Sequence, residues 1–308
     1  MTKQPQYACP VHKVPFETNL HCASCDRDYP STNGIPILLN EANSVFLMSD
    51  YINVEKAYGG ASSYAGHLDR RSGIRHLYRR FMHHLAESNP LSRDFGADDA
   101  IRHILQQRPG AQILVIGAGD STYDGNVTYS DVAFGKNVSC IADAHDLPFE
   151  EAAFDACIAC AVLEHVADPQ RCVAEIERVL KPSGFVYVEN PFLQPVYLGA
   201  YDFTRFTYLG LRRLFRRFDD IQSGIAYGPA TSAAQIIRYL LVSVTDRPVL
   251  RKYLRMIGQL ATYPLRWLDR ATKNRLSAYE AASAFYFFGT LRGDAISDRE
   301  ILKFYRGG

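Results

Sequence analysis

Cys9-Pro-Val-His12 and Cys22-Ala-Ser-Cys25 set four metal-ligating side chains on two short turns near the start of the sequence. Each pair can hold two ligands on one tight knuckle, and two knuckles complete a tetrahedral nitrogen–sulfur site suited to zinc. No ligand position is left open, so the chemistry expected of Cys9, His12, Cys22 and Cys25 is structural rather than catalytic. Residues 1–40 are too few to fold by hydrophobic burial alone. A structural zinc, with an apparent binding energy of about 10–16 kcal/mol, supplies the missing stability. Cys157 and Cys160 have the same spacing but lie inside an apolar strand, where residues three apart point to opposite faces. Both read as small buried hydrophobes.

A second set of residues follows the apolar run Gln112-Ile-Leu-Val-Ile116. Gly117-Ala-Gly119 closes that run, and glycines there let the backbone approach a ligand at the C-terminal edge of a parallel sheet. The third glycine of a dinucleotide fingerprint is absent. Asp131 ends a second strand, where a carboxylate can accept both hydroxyls of a ribose. Asp143 ends a third strand and leads into Ala144-His-Asp-Leu-Pro-Phe149. A fourth strand is followed by Val162-Leu-Glu-His-Val166, which puts His165 at the same sheet edge. His165 is either a base or substrate contact, or a structural hydrogen-bonding group. Glu164 is a charge near the following helix or a partner of His165.

These residues need a scaffold, and the patterning supplies one. Strands are expected over 112–116, 127–132, 138–142, 154–161 and 185–189, in apolar runs that fit a parallel sheet covered on both faces. Between the last two lies a helix with Asp168 as N-cap, Pro169 at its first position and an apolar stripe through Cys172, Val173, Ile176, Val179 and Leu180. Lys181-Pro-Ser-Gly184 stops it. Helix 207–218, strand 221–227 and a last strand at 284–288 follow. The expected fold is α/β: a doubly wound, Rossmann-like sheet, mostly parallel with its last strand antiparallel, with a small N-terminal zinc ribbon and a helical insertion. Expected boundaries are 1–40 for the ribbon, 41–110 for a helical linker or lid, and 111–308 for the sheet domain, with the insertion at about 230–282.

Two stretches carry family likenesses. Asp28-Tyr-Pro-Ser-Thr-Asn-Gly-Ile-Pro-Ile-Leu-Leu39 resembles the end of the zinc-ribbon proteins that activate methyltransferases as partner subunits, although His12 stands where many of those carry Cys. Residues 111–218 resemble the class I S-adenosylmethionine-dependent methyltransferases, through Ala142-Asp-Ala-His-Asp-Leu-Pro-Phe149, Phe154-Asp155, Leu163-Glu-His-Val166 and Arg178-Val-Leu-Lys-Pro-Ser-Gly184. That likeness implies Gly117, Gly119 and Asp120 beneath the methionine part of the cofactor. It places Asp131 on the ribose hydroxyls, and Asp143 with the Ala144 backbone at the adenine. Val115 departs from the pattern, standing where an acidic residue is usual near the cofactor's amino group. The polar loop 120–126 is too short for the usual first helix.

The resemblance implies methyl transfer to an O or N atom of a small molecule, a sugar or a lipid-linked saccharide. The ribbon leaves open an RNA or protein methyltransferase, and Val115 with the short loop leaves open a non-catalytic scaffold. Asp202 and Arg205 either line the acceptor pocket or pair to fix their loop. Arg212, Arg213, Arg216 and Arg217 read as a solvated helix face offset by Asp219 and Asp220. The insertion, with Trp267 among Arg251, Lys252, Arg255 and Arg270, reads as a helical cap, with a lid or an interfacial face for a lipid-linked substrate as alternatives. In residues 41–110, Arg70, Arg71, Arg75, Arg79 and Arg80 interleave with Leu77, Tyr78 and Phe81 in a helical pattern.

Whole-chain quantities bound the rest. The 308 residues carry 34 Lys and Arg against 33 Asp and Glu, with 47% hydrophobic residues. That composition excludes a disordered chain, and a net charge of +1 gives no global field toward nucleic acid or membrane. Seven cysteines and an N-terminus without an apolar signal segment fit a cytoplasmic protein without a disulfide framework. No run approaches the ~18 apolar residues of a membrane span.

Overall fold

The computed structural model describes residues 6–17, 19–52 and 94–308. The helical pattern expected around Arg70–Phe81 lies outside the described residues. Among those described, eleven strands occur in chain order. The N-terminal ones are short: β1 (His21–Cys22), β2 (Arg27–Asp28), β3 (Ser31–Thr32) and β4 (Ile35–Leu38). The remainder are β5 (Gln112–Ile116), β6 (Asn126–Asp131), β7 (Cys140–Ala142), β8 (Phe154–Cys160), β9 (Leu180–Pro191), β10 (Phe218–Tyr227) and β11 (Ala284–Leu291). The helices are α1 (Ser49–Ile52), α2 (Ala97–Gln107), α3 (Pro169–Val179), α4 (Tyr208–Leu214), α5 (Pro229–Val242), α6 (Pro248–Thr262), α7 (Leu268–Thr272), α8 (Ala278–Ala281) and α9 (Asp298–Ile301).

Nine strands form one sheet in the order β10-β11-β9-β8-β5-β6-β7-β4-β3. The block from β9 to β4 is parallel, while β11 runs antiparallel to β9 and to β10. This is the α/β, Rossmann-like arrangement. Every residue of β5 is buried, because alternate side chains enter different cores. Leu114 and Ile116 pack with Cys172, Val173 and Ile176 of α3 on one face. Ile113 and Val115 pack with Ala100, Ile101 and Ile104 of α2 on the other. A strand buried on both sides must be apolar throughout, which is why its run carries no period-two alternation. Asp168 caps α3 by accepting the Arg171 N–H at 3.0 Å, with Pro169 at the first position.

The N-terminal segment joins this sheet directly. Asn33 and Gly34, with φ of 53° and 78°, turn β3 into β4 in the left-handed geometry that Asn-Gly hairpins favour. β4 then pairs in parallel with β7, setting Ile37 opposite Ile141 and Leu38 opposite Ala142. A buried ion cluster ties the same segment down. Asp146 accepts from Lys13 Nζ (3.2 Å), Asn40 Nδ2 (3.0 Å), Asn43 Nδ2 (2.9 Å) and Arg171 (2.8 Å). Burial opposes ionisation of Asp146, but Asn43, Arg171 and Lys13 outweigh it and hold the carboxyl below its usual range. Asp146→Ala strips the shared anion from Lys13 and Arg171. It is expected to cost about 1–3 kcal/mol in denaturant unfolding, since Arg171 is partly exposed and Lys13 keeps Glu175 at 2.9 Å. A loss under 1 kcal/mol would overturn that reading.

Several local expectations need correction. The helix from 207 ends at Leu214 rather than Phe218, and β10 begins at Phe218 rather than Ile221. The chain turns there so that Phe215 and Phe218 both bury their rings against the core, Phe215 stacking on Phe287. Arg212 is no surface cation. It is 2% exposed, lies over the Phe287 and Phe304 rings, and donates to the Phe215 and Phe218 carbonyls. Asp298 pairs with Arg213 and Arg216, and Glu177 with Arg217, whereas Asp219 pairs with Arg292. Cys157 is fully buried, but Cys160 is only half-buried. Between β10 and β11 lie α5 to α8.

Candidate active site and metal centre

The four N-terminal ligands converge. Cys9 Sγ lies 3.7 Å from His12 Nδ1 and 3.9 Å from Cys25 Sγ, and Cys22 Sγ lies 3.8 Å from the same His12 nitrogen. All four ligand atoms fall within 4.8 Å of one another. A tetrahedron with Zn–S near 2.3 Å and Zn–N near 2.0 Å has edges of about 3.4–3.8 Å, so the cluster is compatible with zinc. Ser24 and Cys25 turn their backbone N–H groups toward the Cys22 sulfur. The Tyr29 hydroxyl stands 3.4 Å from Cys9 Sγ. Such outer hydrogen bonds are what hold thiolates oriented for a metal.

The second site is a cavity of about 680 Å³ at the C-terminal ends of β5, β6, β7 and β8. After β5 the chain builds β6 and β7 on one side and returns to β8 on the other, so the cavity sits at the topological switch point. Gly117, Asp120, Asp131, Asp143, Ala144 and His165 all line it. Gly117 has φ of +65°, and a Cβ there would meet Val162 Cγ2 at 2.5 Å. Only glycine therefore fits this floor.

Asp131 fixes the glycine turn from below. Its Oδ2 accepts the Gly119 N–H and its Oδ1 the Ala133 N–H, both at 2.8 Å. Burial raises its pKa against those two donors. Asp143 accepts from the Ser44 hydroxyl and from His145 Nδ1, both at 2.6 Å. Burial alone would raise the Asp143 pKa, but His145 and Ser44 hold it below the usual range. His145 Nε2 accepts the Asp168 N–H at 3.0 Å, so the adenine-edge candidate Asp143 is linked to the start of α3. Val115 points into the α2-side core.

At the opposite end of the cavity, His165 Nδ1 donates to the Tyr201 carbonyl at 2.7 Å. This leaves Nε2 to accept from the Tyr197 hydroxyl, a very short contact. The same hydroxyl lies 3.4 Å from Glu164 Oε1, and Asn190 donates to Glu164 Oε2 at 3.0 Å. Glu164 is wholly buried, and burial pushes its carboxyl up to about 7. Burial lowers the pKa of His165. Asp202 and Arg205 do not line the cavity. They form a two-pronged ion pair, and Asp202 also accepts the Tyr197 N–H at 3.1 Å, which holds the Tyr197 loop.

Sequence reasoning missed Phe46, Tyr197 and Cys160, all of which line the cavity. Phe46 stacks on Tyr201 with centroids 5.7 Å apart, forming a roof. Phe46 lies in a stretch without a chemical motif, so nothing in its local sequence marks it. Tyr197 is one of two tyrosines between β9 and α4, with Tyr201, and the fold brings its hydroxyl to His165.

Residues 125–188 match a family model described as a methyltransferase domain. An uncharacterized 37.1 kDa protein in transposon TN4556 of Streptomyces fradiae is 28% identical over 110 residues, 28% of this chain. The chain spans 32% of the length of that relative. Among solved structures, a Haemonchus contortus phosphoethanolamine N-methyltransferase 2 complex with S-adenosylhomocysteine is 14% identical, over 65% of this chain and 53% of its own, with a TM-score of 0.40. A candidate sarcosine dimethylglycine methyltransferase from Galdieria sulphuraria is 15% identical, over 71% of this chain and 88% of its own, with a TM-score of 0.38. Over residues 125–188, the stretch that holds Asp131, Asp143 and His165, this chain is similar to the methyltransferase domain family, within a Rossmann-like sheet.

Proposed function

We propose that the protein is an S-adenosylmethionine-dependent methyltransferase of the class I, Leu-Glu-His-Val type with its own zinc ribbon. It acts on an O or N atom of a small molecule, a sugar or a lipid-linked saccharide. The observation that carries this reading is the convergence of the Gly117 turn, Asp131 and Asp143 on one cavity at the switch point. The cofactor, when bound, supplies an electrophilic methyl group on a sulfonium. In this reading Gly117 and Asp120 bound the methionine end, Gly119, which does not line the cavity, steadies that turn through Asp131, Asp131 accepts from the ribose hydroxyls, and Asp143 with Ala144 meets the adenine. Direct displacement needs positioning above all, which the Phe46–Tyr201 roof and the Asp202–Arg205 clamp on the Tyr197 loop provide.

A proton must leave when the acceptor is a hydroxyl or an ammonium. His165 stays neutral because burial disfavours its cation and Tyr201 fixes its tautomer. The Tyr197 hydroxyl takes the acceptor's proton as it passes its own to His165 Nε2 or to Glu164 Oε1. The ribbon contributes in cis what activator subunits contribute as partners, covering one end of the sheet through β4.

Calorimetric titration of the zinc-loaded protein with S-adenosylmethionine tests the cofactor site. Asp131→Ala is expected to bind at least a hundredfold more weakly, since two hydrogen bonds to a charged group at about 1.5–3 kcal/mol each amount to about 3–6 kcal/mol. A folded, zinc-loaded protein with no cofactor affinity would sink the enzyme reading and favour a scaffold.

A further inference from the structure

We propose that the outward face of the α5–α6 hairpin docks on the surface of an anionic phospholipid bilayer. This rests on the hairpin alone and is independent of the reading of the cavity. The two helices pack closely because Gly258 leaves room. A Cβ there would meet Arg238 Cγ at 3.1 Å and Leu241 Cδ1 at 3.3 Å. With their inner faces joined, the helices turn apolar side chains outward at helical spacing. Leu240 is 68% exposed, Val244 71% and Val249 70%, and Ile236, Tyr253 and Ile257 are each more than half exposed. Scattered exposed hydrophobes are ordinary, whereas a contiguous patch of this kind marks an interaction surface.

Charge identifies the partner. Residues 229–262 hold five basic residues and one acid, Asp246, in a chain whose net charge is only +1. Arg247, Arg251, Lys252 and Arg255 are all exposed. At helical spacing Arg251 and Arg255 share the Gly258 side of α6 and Lys252 flanks its apolar side, so the hairpin is amphipathic, with a basic polar side for anionic headgroups and apolar side chains for the acyl boundary. A second copy of the chain fits less well, because a shared interface would bring two sets of these cations together. No described helix is long and apolar enough to cross a membrane, so the hairpin would lie on the bilayer. The face adjoins the cavity mouth: the Tyr239 hydroxyl donates to the Val196 carbonyl at 3.2 Å, and Tyr197 lines the cavity.

The test is co-sedimentation with vesicles of phosphatidylcholine alone and of equimolar phosphatidylcholine and phosphatidylglycerol, with sedimentation velocity run in parallel. Binding to the anionic vesicles only is expected. Combined Arg251→Ala, Lys252→Ala and Arg255→Ala should weaken it about a hundredfold, at roughly fivefold per cation. Combined Leu240→Ser and Val244→Ser should weaken it about tenfold. All five positions are exposed, so melting temperatures should not move. Equal uptake by neutral vesicles, no uptake, or a dimer that Leu240→Ser dissociates without any vesicle binding would each overturn the proposal.

Discussion

Cys22→Ser is expected to abolish zinc retention and to cost the N-terminal segment its fold. The β1–β2 knuckle has little else to stand on: the two strands are two residues each, and their pairing closes around the ligands themselves. Loss of a site worth about 10–16 kcal/mol of apparent binding energy is comparable to the whole stability of an ordinary domain, about 5–15 kcal/mol. The damage should spread, because β4 is a strand of the main sheet and Asn40, Asn43 and Ser44 reach Asp146 and Asp143. The Phe46 roof follows directly on Ser44. Elemental analysis should therefore show about one zinc per chain in the parent and none in the variant. Hydrogen exchange should rise across residues 6–46 and then at Asp143 and Ala144, ahead of the α3 core. A variant that loses its metal yet keeps parental protection at Ile37 and Leu38 would show that β4 is held by the sheet alone.

What the sequence displayed and what it hid divide along physical lines. The parallel core was legible because a strand buried on both faces must be uniformly apolar, as in Gln112–Ile116. Capping at Asp168–Pro169 and the two metal knuckles were legible because each is a local device with a fixed spacing. The parallel pairing of β4 with β7 was not, since it joins residues about a hundred positions apart and leaves no periodic trace. Arg212 misled for a related reason. A guanidinium among other arginines looks solvated until aromatic faces and two carbonyls from the following turn close around it. At the cavity, the carboxylates were visible at strand ends. Asp143's partner Ser44 and the roof residue Phe46 arrive from the N-terminal segment, where only the fold reveals their use.

Glu164→Gln is expected to make the protein more stable at neutral pH and far less active. In the folded chain the Glu164 carboxyl titrates near 7 against an ordinary value of 4.5, because burial disfavours its anion. Between those two values the native state binds more protons than the unfolded state, so raising the pH across the window lowers stability. The contribution reaches about 3 kcal/mol at the upper end. A neutral glutamine escapes it, since its amide oxygen can still accept from Asn190 and its NH₂ can face the Tyr197 hydroxyl. Denaturant unfolding should thus show the variant gaining on the parent steadily as pH rises through that range. If Glu164 also receives the acceptor's proton through Tyr197, parental kcat should climb with pH through about 7. The variant should lose that limb and about 10²–10⁴ in rate. The two readouts separate the roles. A stability gain with an unchanged pH–rate profile would make Glu164 a buried anchor for the Tyr197 loop and leave His165 as the sole base. A flat stability difference would mean the carboxyl is ionised in the folded protein across the whole window, and a rise of kcat through about 7 would then have to come from another group.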